Sequence, residues 1–166
     1  MFIDQLSVVS GTVPATGSMT GLALLTSAAA TAVSTDAIDL GIARDIGEGE
    51  DLFFMIHIVA AVTGATSVQW DAIYATDAAL TTGVIVGGST GAITVASGAL
   101  AIGSVHTISV NPMLRYNATN ESSKGARYLG LRYIVIGTAS AGSYCGYITL
   151  NPQDGKKFYA SGFTVA

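Results

Sequence analysis

Residues 127–137 read Arg-Tyr-Leu-Gly-Leu-Arg-Tyr-Ile-Val-Ile-Gly, and the stretch alternates. Leu129, Leu131, Tyr133 and Val135 fall on one side. Tyr128, Arg132, Ile134 and Ile136 fall on the other, with Gly130 between them. Side chains of a strand point to opposite faces with period two, so one face is wholly apolar and belongs against a core. The second face begins polar and ends apolar, as in a strand that runs from a sheet's rim into its interior. Arg132 stands opposite the core, where its stem lies along the sheet and its head reaches water. The stretch is therefore read as the central strand of a β-sandwich.

The rest of the chain is compatible with that frame. Residues 1–9 read as a short strand or arm. Residues 22–32, Leu-Ala-Leu-Leu followed by alanines, predict either a short helix or an arm that orders on a neighbour. Strand character begins at Ala32 and is anchored by Val33 and Ile38. Residues 41–51 form an acidic turn. Residues 52–62 are a near-continuous apolar run whose β-branched and aromatic content favours a buried strand, ended by Gly64. Residues 67–75 alternate again, with Val68, Trp70, Ala72 and Tyr74 on one face and Gln69, Asp71 and Ile73 on the other. Two short strands flank Gly87-Gly88-Ser89-Thr90-Gly91, and residues 105–110 give another. Residues 117–126 are the most hydrophilic and form an exposed loop. Residues 143–150 are expected to pair with the 127–137 strand as a hairpin. Some eight strands joined by turn-rich links predict an all-β jelly-roll sandwich, with an N-terminal arm over 1–31 and the jelly-roll domain over 32–166.

Composition narrows the function classes. Charged residues are 11% of the 166, against 50% apolar ones, so Ser, Thr, Gly and Ala must cover the surface. Such a surface loses little hydration on contact and gives little protection against association. A net charge of −4 with scattered cations offers no footprint for nucleic acid. The uncharged stretches are broken by Gly, Pro, Ser and Thr and hold no run of about 18 apolar residues, and Asp4 stands where a signal peptide carries a base. The chain is read as soluble, without membrane or nucleic-acid partners. The single Cys145 reads as a small buried hydrophobe.

No catalytic constellation stands out. Residues 87–91 match the G-x-S-x-G nucleophile elbow around Ser89, but a strand-like segment follows where that motif needs a helix. A Gly-rich hairpin loop is favoured over a hydrolase. His57, inside an apolar run, reads as a core or interface residue with one hydrogen bond, and His106 opens a strand. Two histidines are too few for a cupin-type metal site. Glu48, Glu50 and Asp51 have the oxygen chemistry for calcium, yet a solvated turn is favoured. Asn117 and Asn120 head sequons that mark a polar loop. Trp70 is favoured as core over a sugar-stacking platform. No cofactor is expected.

Three segments, taken together and in order, resemble the small cement (decoration) proteins of tailed phages of the Bordetella phage type. They are residues 30–41 with Arg44-Asp45-Ile46-Gly47 and Gly49-Glu50, residues 68–80 running into Thr-Asp-Ala-Ala-Leu, and residues 127–133. The resemblance covers about residues 30–150. It implies a jelly roll without enzymatic activity on the outside of an HK97-like capsid in the virion. There the protein would bridge major capsid subunits and act as a homo-oligomer, dimer or trimer. This chain departs from the family in a longer segment before Ala30 and an inserted loop at 117–126. Phe2, Ile3 and Leu6 in the arm, with Arg115, Tyr116 and Lys124 by the loop, are the expected contacts with the capsid or a neighbouring subunit. The alternative is a carbohydrate-binding jelly roll, a receptor-binding or adhesion protein of the virion, which would need exposed aromatics together, such as Tyr144 and Tyr147 near Trp70.

Overall fold

The computed structural model describes residues 7–13, 18–26, 29–40, 52–110 and 126–152. Nine strands form one antiparallel sheet: β1 Val8–Ser10, β2 Leu22–Ala23, β3 Thr31–Val33, β4 Ile38–Asp39, β5 Leu52–Ala75, β6 Ile85–Ser89, β7 Ile93–Thr94, β8 Val105–Val110 and β9 Tyr128–Thr149. Two of them dominate. β5 has 24 residues and β9 has 22, and they pair along nearly their whole length, from Phe53↔Thr149 to Ala75↔Tyr128. β1, β2, β3 and β4 line the far side of β9, and β8, β7 and β6 line the far side of β5.

A straight strand of this length would span about 80 Å at ~3.3 Å per residue, about twice the diameter of a domain this size, whose radius of gyration is about 15 Å. The paired ribbon therefore folds over. Its register slips repeatedly between Ile58 and Ser67, and each slip bends and twists the ladder. Gly64 (φ +82°) and Gly137 (φ +86°) sit at this bend in the left-handed region, and a Cβ on Gly64 would come within 2.7 Å of the Thr138 carbonyl oxygen. The sheet curls into a half-barrel whose two ends face each other as sandwich layers. Trp70 from the second layer packs edge-on against Tyr144 of the first, ring centroids 5.6 Å apart. Gly146 lies so close beneath Leu131 that a Cβ would meet its Cδ1 at 2.5 Å. One flank closes where Gly88 rests on the Ser109 carbonyl, the other where Asp36 N–H donates to the Val9 carbonyl at 3.0 Å.

The all-β sandwich expected from the sequence is what forms, with four local differences. Residues 52–62 and 67–75 are one strand, and Gly64 bends it instead of ending it. Residues 127–137 and 143–150 are likewise one strand: they do not form a hairpin, because Gly137 and Gly142 turn the chain only enough to follow β5 around the bend, and both halves take β5 as partner. The expected helix over 22–32 is absent from the residues described there. β2 and β3 pair with β9 instead, and Leu24 N–H donates to the Gly142 carbonyl. This Ala/Thr-rich segment has few helix-stabilising side chains, and the β9 edge offers it ladder bonds. Gly87, Gly88 and Ser89 fall inside β6 instead of in a loop.

The alternating faces hold. Leu129, Leu131, Tyr133 and Val135 are buried in the main core with Val68, Trp70, Ala72, Tyr74, Phe54, Ile56 and Ile58. A smaller cluster of Val8, Met55, Cys145 and Tyr147 sits on the other face of the first layer, and Ile73, Ala75 and Leu80 make a third on the second layer. No helix of the described residues is long and apolar enough to cross a membrane.

Candidate functional site

Charge is scarce on this scaffold. The charged side chains among the described residues are Asp36, Asp39, Asp71, Asp77, Arg127 and Arg132. Neighbouring strands put Asp71 (β5) beside Arg132 (β9) and Ser89 (β6) in one row. The Asp71 carboxylate is almost fully buried. It accepts bonds from Arg132 Nε at 3.2 Å and Nη2 at 2.6 Å and from Gln69 Nε2 at 2.8 Å, and the Ser89 hydroxyl also donates to it. Burial alone would raise the Asp71 pKa, but these donors and the Arg132 charge outweigh it and hold the carboxyl below its usual range. Arg127 and Asp39 make a second, exposed pair, bonded through both guanidinium nitrogens Nε and Nη2. Asp77 accepts from the backbone of Thr81 and Thr82 and ties the turn after β5.

The groups with chemical potential are built into the core. His57 shares a 2.9 Å hydrogen bond with the Tyr147 hydroxyl and stacks on that ring. Burial drops its pKa to about 4, so it is neutral at pH 7. Burial also pushes the Cys145 thiol up to about 11, so it is not the thiolate that nucleophilic or metal chemistry needs. His106 Nε2 donates to the Ala99 carbonyl at 2.9 Å, and its ring stacks on Trp70. Trp70, Tyr144 and Tyr147 are all buried, so these three offer no platform to a sugar ring. Ser89 accepts a bond from Gly91 N–H, and the strand β7 follows, so the strand–turn–helix setting of a nucleophile elbow is not present. No three of His, Cys, Asp and Glu come together among the described residues.

What remains is surface, and one end of the described sheet carries no charge. The bend comprises residues 58–67 and 136–143, with residues 22–26 and 95–104 bonded alongside through Leu24, Ile58 and Val62. None of these residues carries a charge. Exposed Leu25, Ile102 and Ile136 lie in these segments, as does the exposed Thr63–Ser140 hydroxyl pair. At the opposite end Leu52, Val110, Ala75, Tyr128 and Thr149 close the two layers. Segments 41–51, 111–125 and 153–166 join the described chain at that end, and they carry Arg44, Asp45, Glu48, Glu50, Asp51, Arg115, Glu121, Lys124, Asp154, Lys156 and Lys157.

The contacts expected from the sequence, Phe2, Ile3, Leu6, Arg115, Tyr116 and Lys124, lie outside the described residues, as do Glu48, Glu50 and Asp51. Asp71 and Arg132 fall on outward faces in the sequence pattern, which does not show that they meet. The signal was there: one acid and one base on the outer faces of two long strands with few charges otherwise. The neutral bend was missed because residues 58–67 and 136–143 were divided between separate strands.

No curated protein matches the chain. A family model does, over residues 23–148, which span the sheet from β2 through most of β9. The chain belongs to that family, Bbp16, whose name points to a Bordetella phage protein.

Proposed function

We propose that the protein is a virion structural protein, a cement or decoration protein that binds the outer surface of an HK97-like capsid and bridges neighbouring capsid subunits. Its partners are the major capsid protein and further copies of itself. It staples capsomers after the shell expands, as a passive clamp without catalysis or cofactor. The observation that carries this reading is the sandwich surface: a rigid sheet, in a phage-protein family, on which both arginines of the described residues are already paired with aspartates. Docking such a surface strips little hydration from ions. Many modest contacts repeated around a shell add up through effective concentration.

The test is co-sedimentation of the purified protein with phage capsids stripped of their decoration, followed by heat or chaotrope challenge. Saturable binding at a fixed ratio to the major capsid subunit, with raised capsid resistance, is the expected result. Absence of binding by a soluble, monodisperse protein would overturn the reading.

A further inference from the structure

We infer that Arg132, fixed by Asp71 on the outer face of the second layer, is a docking point for a carboxylate of a partner protein. The inference deepens the proposed role and rests on it for the identity of that partner, the major capsid protein. It is carried by the way the guanidinium is used. Nε and Nη2 both donate to one oxygen, Oδ2 of Asp71, at 3.2 and 2.6 Å. Those bonds occupy the side edge of the planar group. Its end edge, made by Nη1 and the second N–H of Nη2, has no partner among the described residues. Two parallel N–H groups of this kind match the two oxygens of a carboxylate.

The setting selects a singly charged anion. The Asp71 side chain is 1% exposed and that of Arg132 27%, so the pair shows a partner only its positive half. Val33 pairs with Arg132 on one side, and Asp71 then Ser89 follow on the other. Half-buried Ile134 comes next on the same face of β9, and Val86 on β6 is exposed. These aliphatic neighbours form a rim that keeps water from a docked ion pair. The charges of Asp71 and Arg132 cancel, so one added negative charge fits better than the two of a phosphate ester. Gln69 and Ser89 also hold the Asp71 carboxylate, which offsets its repulsion of a second one. Arg132 is already fixed, so its side chain loses little freedom on docking. Arg127 binds Asp39 through the same two nitrogens. There both side chains are about half exposed, so an approaching acid meets Asp39 as well.

The test is equilibrium binding of the full-length protein to phage capsids stripped of their decoration. Removing Arg132 alone would strand a buried carboxylate, so the variant is Asp71→Asn/Arg132→Gln, which removes both charges and keeps side chains that hydrogen-bond. Melting temperature and far-UV spectra check its fold. It should bind at least about tenfold more weakly than wild type, while Arg127→Gln should bind within about twofold. A second variant, Asp71→Asn/Arg132→Lys, offers a primary amine with no carboxylate beneath it. Treated on the capsid with a carbodiimide, which leaves as its urea, that amine should condense with an Asp or Glu of the major capsid protein, and mass spectrometry reads the amide. A folded Asp71→Asn/Arg132→Gln variant that binds like wild type would overturn the inference and leave the cement role standing. So would coupling at position 132 to no capsid carboxylate. Wild-type protein that binds no capsid would overturn the cement role, and the inference with it.

Discussion

At the scale of single residues, the polar groups inside this sandwich set its response to pH and mutation. His57 has a folded pKa of about 4, against an ordinary value of 6.5, because burial disfavours its charged form. The groups around it are the Tyr147 hydroxyl and ring, with Met55 and Cys145 in the same cluster. Between those two pKa values the unfolded chain binds the proton and the folded one does not. Stability is therefore full above pH 6.5 and falls as pH drops to 4, by roughly 3 kcal/mol over that window. Urea unfolding at steps of pH should show this slope, and His57→Phe should flatten it; an unchanged slope in that variant would assign it elsewhere. Asp71 makes a different prediction. Removing its partner with Arg132→Ala leaves a buried carboxylate with only Gln69 and Ser89 to satisfy it. The expected loss is about 3 kcal/mol at pH 7, whereas Arg127→Ala, which breaks an exposed pair, should cost less than about 1 kcal/mol. Equal losses in the two variants would show that the Asp71 site is more open to water than its burial implies.

At the scale of elements, the glycines show which parts of the ribbon tolerate a side chain. Gly88 lies in β6 against the Ser109 carbonyl of β8, and a Cβ there collides with backbone. Gly91 has φ +67° but nothing within 4 Å of a built Cβ. Gly91→Ala should cost about 1 kcal/mol from left-handed strain alone. Gly88→Ala should cost about 3 kcal/mol or more, because the flank of the sandwich must open; thermal melts of the pair check the order. From sequence both fall in one loop, since Gly-Gly-Ser-Thr-Gly looks the same whether its glycines turn the chain or let two strands approach. The same ambiguity hid the long strands. Alternation over 129–135 and 68–74 identified the core faces correctly, because that periodicity is local. Gly64, Gly137 and Gly142 were read as ends, because a positive φ at a bulge and at a turn leave the same letter in the sequence. The short β2, β3 and β4 owe their form to the β9 edge, which no local pattern reveals.

At the scale of the whole molecule, the sharing of β5 and β9 between both layers governs folding. Neither layer has a central pair of its own: the first uses Phe53–Ile58 with Tyr144–Thr149, the second Val68–Ala75 with Tyr128–Val135, and the same two strands run through both. The uncharged bend arises from that continuity as well, which is why it cannot be seen while its two halves are read as parts of separate strands. Losing one layer would expose the apolar face of the other, so the sandwich should unfold as one cooperative unit. Trp70 is the single tryptophan and lies between the layers against Tyr144 and His106, so its fluorescence reports their closure, while far-UV circular dichroism reports the strands. The two signals should give one superimposable urea transition. The β5–β9 pairs join residues 53 apart at Ala75–Tyr128 and 96 apart at Phe53–Thr149, and closing such long loops before any reward is slow. Refolding should therefore take milliseconds to seconds, about 1–100 s⁻¹, with Trp70 burial and strand formation in the same phase. A tryptophan transition that separates from the dichroism would mean that one layer stands without the other, and that the bend is a hinge between two units.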